Sequence, residues 1–396
     1  MYDELIDARN RQLRDEFVNS IKDRICALSS SYHGGDDCEF FREHAMGSFN
    51  ICFFVQFFQC PKSSRDSDAV PDGDRWVVRV PLGPRLAMEP WEKVESEVTT
   101  MRLVKSRTTI PIPEVYFYST ACEPGPYGFA SFMIMEYVPG KNLRDLGFKL
   151  NKRVEALPPI REKILVQVAN IYADLTRLEF PAIGRLVPGD GDEPKIGRMP
   201  ISLCMNQQEL EVGGTLAMVR EHAGGSTGIT STDAYVSLLL DIAQDLSEKS
   251  TAIYSNEKEA KRGLYFLDQF TRHVRGKWTA DTVNSDLFVL MHGDMQNPAN
   301  LLFDDYMNLL AVLYWEWAQT VPRKLFLPPI WLLGRPEHSL MLFYDDYIEK
   351  PAHFCLVLDE VEKQNYGEVS SLSRDWRLGP GRRRSCQQSL AVPNPN

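Results

Sequence analysis

The apolar residues of this chain change their spacing once, and that change restricts the fold more than any single motif does. Between about residue 38 and residue 138 they gather in short aromatic and β-branched runs: Phe49 to Phe58 (FNICFFVQFF), Arg75 to Val80 (RWVVRV), Val115 to Tyr118, and Phe129 to Val138 (FASFMIMEYV). The polar segment PKSSRDSDAVPDGD between the first two makes them an antiparallel hairpin with a long tip. One helical stretch interrupts the strands. Trp91 to Lys105 carries Val94, Val98, Met101 and Val104 at helical spacing, and the PIPEV behind it stops a helix because proline has no N–H to give. Pro139-Gly140 ends the last strand, and beyond it the period is helical. Ile164, Leu165, Val168, Ile171, Leu175 and Leu178 share one face, Asp233 caps a helix through Leu246, and Leu264, Leu267 and Phe270 mark another.

A chain divided in this way is expected to be α+β and bilobal. Residues 1–37 form an N-terminal helical segment with Leu5, Leu13, Phe17, Ile21 and Ile25 near one face; 38–138 form a small antiparallel-sheet lobe with one helix; 139–365 form a larger, mainly helical lobe; and 366–396, poor in apolar residues, form a disordered tail. Strands return once within the second lobe, at Leu287 to Met291, Leu301 to Phe303 and Leu309 to Leu313, with Asp304 and Asp305 in a hairpin turn.

Charge and cysteine usage narrow the function classes. A net charge of −10 disfavours nucleic acid and anionic membrane as main partners and fits cationic or neutral partners better. The first residues, MYDELIDARNRQLRDEF, are charged throughout and lack the apolar core of a secretory signal, and no run approaches the roughly 20 apolar residues of a membrane span. Eight cysteines without a CxxC pair read as free thiols in a reducing cytoplasm, not as a zinc site.

The chemistry is concentrated in the loop HGDMQNPAN. It places Asp294 and Asn300 between two apolar strands, and phosphoryl transfer uses such a pair: a carboxylate to orient the acceptor hydroxyl and an amide oxygen to help hold a metal on the phosphates. His292 is expected to support the loop backbone. Gly47 and Ser48 form a small-residue turn whose N–H groups would lie over phosphates. Arg79 is a cation where strand alternation predicts core, and Glu97 on the following helix is its expected partner.

Taken in order, GSFNICFFVQF, RWVVRVP, ESEVTTMRLVKSRTTIPIPEVY, FMIMEYVPGKNL, LTRLEFPAIGRL, MHGDMQNPANLLFDD and LLAVLYWEWAQTVP resemble the fungal aminoglycoside phosphotransferase and choline kinase-like family over roughly residues 40 to 345. The resemblance implies a protein-kinase-like fold with ATP between the lobes. It puts Met135, Glu136, Tyr137 and Val138 at a hinge beside the adenine, makes Asp294 the catalytic base or positioner, and makes Asn300 a Mg²⁺ ligand. Three positions depart from the family pattern. Arg79 stands for the usual Lys; Asp294 and Asn300 are six positions apart instead of five, with Asn297 the other candidate ligand; and Tyr314 occupies the position before WEWA where the family has a metal-binding Asp. Glu316 is then the candidate replacement ligand, Tyr314 a candidate acid or base, and Trp315 and Trp317 packing residues. The expected function is ATP- and Mg²⁺-dependent phosphoryl transfer to a hydroxyl of a small molecule. The alternatives are a catalytically impaired pseudokinase and a kinase-fold enzyme repurposed for a non-phosphoryl reaction.

Overall fold

The computed structural model describes residues 2–47, 49–58, 74–82, 89–128, 130–143, 145–146, 158–191, 193–197, 199–202, 228–249, 254, 256–278, 287–329, 344–367, 372–373 and 376. Helix α1 (Tyr2–Tyr32) leads into β1 (Cys38–Met46), β2 (Asn50–Phe57) and β3 (Arg75–Pro81). After α2 (Pro90–Arg107) come β4 (Val115–Thr120) and β5 (Ser131–Glu136), and these strands make one antiparallel sheet in the order β1-β2-β3-β5-β4. Strand alternation divides its two faces cleanly. Ile51, Phe53, Val55 and Phe57 of β2, Trp76, Val78 and Val80 of β3, and Phe132 and Ile134 of β5 pack with Val18, Ile21, Ile25 and Leu28 of α1. The residues between them, Phe54, Val77, Met133 and Met135, pack with α2 and the rest of the molecule. Arg79 therefore falls on the α2 face because Val78 and Val80 fall on the other, opposite Cys52 in the β2–β3 register.

The second lobe begins after β6 (Lys141–Asn142) with α3 (Pro158–Leu175), followed by the short strands β7 (Glu179–Phe180), β8 (Leu186–Val187) and β9 (Lys195–Ile196), then α4 (Thr232–Lys249) and α5 (Glu257–Trp278). Strands β10 (Phe288–Met291), β11 (Leu301–Phe303), β12 (Leu309–Val312) and β13 (Gln319–Pro322) and helix α6 (Tyr344–Tyr366) complete it. β10 sits between β13 and β7 while β11 sits between β12 and β6, so residues 292–300 bridge two small sheets. No helix among the described residues is long and apolar enough to cross a membrane.

The lobes are joined by backbone and side-chain hydrogen bonds. Val312 N–H donates to Pro111 O at 2.9 Å. The buried Asp174 carboxylate on α3 accepts from the N–H and the hydroxyl of Thr109, both at 2.8 Å.

Four expectations need correction. The sheet has a fifth strand, β1, missed because its exposed edge reads EFFREHAM, with charges where alternation would put core. The final sheet strand ends at Glu136, so Tyr137 and Val138 are already connector. On α1 the buried stripe is Val18, Ile21, Ile25 and Leu28, with Phe17 half-buried; the side chains of Leu5 and Leu13 lie outside the described residues. The tail expected to be disordered from 366 is docked at its start: Leu372 and Ser373 are buried, and Trp376 packs against Tyr172 and Phe354 while its indole N–H donates to Phe326 O at 2.7 Å. Its remainder over 377–396 and the hairpin tip over 59–73 lie outside the described residues.

Candidate active site

The loop after β10 is built on backbone constraints. Gly293 has φ +81°, and a Cβ there would fall 2.0 Å from Trp317 O, so no other residue fits. His292 is buried, its Nε2–H donating to Leu313 O at 2.8 Å and its Nδ1 accepting from Asp294 N–H at 3.3 Å. Burial pushes its pKa down to about 4, which keeps the ring neutral with one donor and one acceptor, as those two bonds require. His292 is thus the backbone support expected of it. Asn297 is committed as a cap: its Oδ1 accepts from Ala299 N–H at 3.1 Å at the start of the turn Pro298–Asn300.

That turn delivers Asn300 onto Asp294. The Asn300 amide nitrogen donates to the Asp294 carboxylate and to the Asp294 backbone oxygen, each at 2.8 Å. Its other end is unspent: Asn300 Oδ1 is buried and has no hydrogen-bond partner among the described residues. A buried amide oxygen without a donor is a ligand in waiting for a hard cation. Burial raises the Asp294 pKa, and the Asn300 bond opposes that shift.

The chain course places Tyr314 beside this loop, because Leu313 is bonded at both ends, its N–H to Asn300 O at 2.8 Å and its carbonyl to His292. Tyr314 is a non-glycine residue with φ 62° and ψ 57°, left-handed, and its ring lies 5.1 Å from the Arg79 guanidinium carbon. Burial raises its pKa above the ordinary phenol value, so it is neutral and no substitute for a carboxylate. Trp315 and Trp317 are packing residues, the first buried against His292 and the second against Phe49.

Across from the loop is a buried charge cluster. Arg79 Nη1 donates to Glu97 Oε1, the pairing the sequence predicts. The structure adds Lys93, fully buried on α2 one turn before Glu97, and Asn50 at the start of β2. Lys93 Nζ lies 2.5 Å from Glu316 Oε2, 2.7 Å from Asn50 Oδ1 and 3.8 Å from Glu97 Oε2. Arg79 Nη2 is 3.1 Å from Glu316 Oε2, an ion pair not aligned as a hydrogen bond, and Arg79 Nε and Nη2 are buried donors with no hydrogen bond among the described residues. Asn50 donates its amide to the same Glu316 oxygen. Burial alone would raise Glu316, but Lys93 and Arg79 overcome it and hold its carboxyl down at about 2. Glu316, the candidate replacement metal ligand, is ion-paired with Lys93 and Arg79 and ties the second lobe to the first.

The N–H of Gly47 donates to Asn50 O at 2.9 Å, closing the β1–β2 turn, so it is not free for a phosphate; Ser48 lies outside the described residues. At the connector, Glu136 N–H and Tyr137 N–H go to Glu114 O and Arg75 O, while Val138 N–H has no backbone acceptor among the described residues. Met135 is buried in the inner core and Tyr137 stacks edge-on against Phe41 and Phe54. Lys93 and Asn50 escaped sequence reading; the one available signal was the Lys93–Glu97 spacing of four on a helix, which describes solvated surface pairs equally well.

A protein-family model described as "Phosphotransferase enzyme family" matches residues 65–320 of this chain. Among curated relatives, the clavilactone A biosynthesis cluster protein Y of Ampulloclitocybe clavipes is 27% identical over 251 residues, covering 61% of this chain and 53% of that protein. A subtelomeric hrmA-associated cluster protein of Aspergillus fumigatus is 27% identical over 151 residues, covering 38% of this chain and 25% of that protein. The chain thus spans about half the length of the first relative and a quarter of the second. A solved structure from Ralstonia eutropha, provisionally named an aminoglycoside phosphotransferase, aligns over 90% of this chain and 94% of its own with 15% identity and a TM-score of 0.41.

Proposed function

The chain belongs to the phosphotransferase enzyme family, and from that premise we propose that it transfers a phosphoryl group from ATP to a hydroxyl of a small molecule in the cytoplasm. The observation that carries this reading is the Asp294–Asn300 pair, a carboxylate locked by an amide whose own oxygen is left without a donor. In this reading Asp294 accepts the hydrogen bond of the acceptor hydroxyl and takes its proton as the oxygen attacks. Its raised pKa brings it nearer to working pH, where a base is most effective. Asn300, through Oδ1, is the residue that would hold Mg²⁺, which would supply neutralisation of charge on the phosphates. Arg79, whose Nε has no hydrogen-bond partner among the described residues, is the cation available to phosphate oxygens, with Lys93 a second cation behind it. The backbone of Met135 to Val138 receives the adenine, with Val138 N–H as donor.

Mg·ATP, but not ATP with a chelator, is expected to raise the melting temperature, as a ligand specific for the folded state does. Radiolabelled ATP with a panel of hydroxylated small molecules should then give transfer that falls about 10²- to 10⁴-fold in Asp294→Asn with the melting temperature retained. Equal transfer by Asp294→Asn would overturn the assignment. Tyr314 favours one second reading, a nucleotide-binding pseudokinase, because a neutral ring stacked on Arg79 stands where a metal carboxylate is needed. Its signature is Mg²⁺-dependent stabilisation with no transfer to any acceptor.

A further inference from the structure

On the α1 face of the first-lobe sheet, the end of α1 folds back on itself and brings two cysteines together. The helix closes with His33 N–H on Ser29 O and Gly35 N–H on Ser30 O, and Gly34 and Gly35 take φ of +77° and +94°, a reversal that glycine makes without strain. The chain then runs back along α1 into β1, where Phe58 N–H holds it at Asp37 O. As a result Cys38, the first residue of β1, lies against Cys26, about two turns up from the end of the helix. The Cys38 thiol is 3.5 Å from Cys26 O and 3.8 Å from Ser30 Oγ, which sets it beside residue 26 of the helix. Both are half-buried and reduced.

We propose that Cys26 and Cys38 form a redox site: on meeting a low-molecular-weight disulfide such as oxidised glutathione, they close a disulfide that staples α1 to the edge strand β1. Its neighbours Cys26 and Ser30 lower the Cys38 pKa to about 7, whereas the Cys26 thiol is pushed up, so Cys38 is the attacking sulfur and Cys26 the resolving one. The Cys38 thiolate attacks one glutathione sulfur, forming a mixed disulfide and expelling the first glutathione thiolate. Cys26 then gives up its proton and attacks Cys38 Sγ, and the second glutathione leaves. Two protein thiols are oxidised, one external disulfide is reduced to two thiols, and the two protons end on the released glutathiones. The other described thiols lack this arrangement: Cys355 is buried, burial pushes Cys52 up to about 11, and Cys122 is simply exposed.

The test uses the full, reduced chain incubated under native conditions with oxidised glutathione, quenched in acid, alkylated, digested and mapped by mass spectrometry. The expected product joins the peptides of Cys26 and Cys38 and is two hydrogens lighter than their sum. Cys26→Ser should stop at the mixed disulfide, with one glutathione on Cys38, and Cys38→Ser should leave Cys26 free for alkylation. The proposal is overturned if Cys26 and Cys38 in the wild type remain alkylatable while Cys122 carries glutathione, or if Cys38 holds glutathione stably with Cys26 still free. Because the wild-type map decides by itself, loss of folding in either variant changes nothing.

Discussion

The two walls of the cleft are built on opposite principles. The first-lobe wall is made of full charges, Arg79, Lys93 and Glu97 with Glu316 reaching over from the second lobe, all nearly inaccessible and cancelling in pairs. The opposite wall is made of bonds to the main chain: His292 to Leu313 O, Asn297 to Ala299 N–H, and Asn300 to Asp294 O. Buried charges are costly to isolate, so the first wall is rigid and intolerant of single changes. Backbone-held side chains can be altered one at a time, so the second wall is where chemistry is adjustable.

The largest expected effect breaks the charged wall. Lys93→Met leaves Glu316 with Arg79 as its one cationic partner in a nearly inaccessible site, and removing one partner of a buried pair costs about 3–5 kcal/mol. Deleting both, as in Lys93→Met with Glu316→Leu, should recover much of that loss, because the stranded charge goes too. Urea unfolding of the single and double variants measures it; a single variant within about 1 kcal/mol of wild type would mean that the cluster is solvated and the contrast between the walls is false.

The same contrast explains what was legible in the sequence. The backbone-held wall could be read because its residues are contiguous, from His292 to Asn300, between two apolar strands. Arg79 could be read because strand alternation is local, and its neighbours Val78 and Val80 fix which way it points. Lys93, Asn50 and the true surroundings of Glu316 could not, since they meet only when α2, β2 and the turn after Tyr314 close on one another from positions up to 266 residues apart. Gly47 misled for a related reason: a glycine before a strand does not reveal whether its N–H is spent on its own hairpin.

A smaller effect, in the other wall, depends on pH. His292 has a folded pKa of about 4 against an ordinary 6.5. Above about 6.5 it is neutral in both states; between 6.5 and 4 the unfolded chain takes up a proton that the folded chain refuses. Stability is therefore full above 6.5 and falls as pH drops through that window, by about 3 kcal/mol in all. His292→Gln, which keeps a donor and an acceptor without titrating, should flatten that slope. An unchanged slope in the variant would move the acid sensitivity to other groups.

The smallest expected effect tests whether the two walls were built to share a metal. Residue 314 is forced into the left-handed region by the bonds that hold Leu313, and Asp and Asn tolerate that conformation better than a bulky ring does. Tyr314→Asp relieves that strain, about 1 kcal/mol, and forfeits the ring's contact with Arg79, of similar size at a partly exposed position, so the two nearly offset. Stability should stay within about 1 kcal/mol of wild type. Binding should not. A carboxylate at 314 adds a hard oxygen beside Asn300 Oδ1, and a gain of about tenfold in Mg·ATP affinity, roughly 1.4 kcal/mol, is expected by calorimetry with Mg²⁺ and not with a chelator present. If the wild type binds Mg·ATP and the substitution leaves its affinity unchanged, the walls do not converge on a cation at this position, and Glu316 released from Lys93 becomes the ligand to test next.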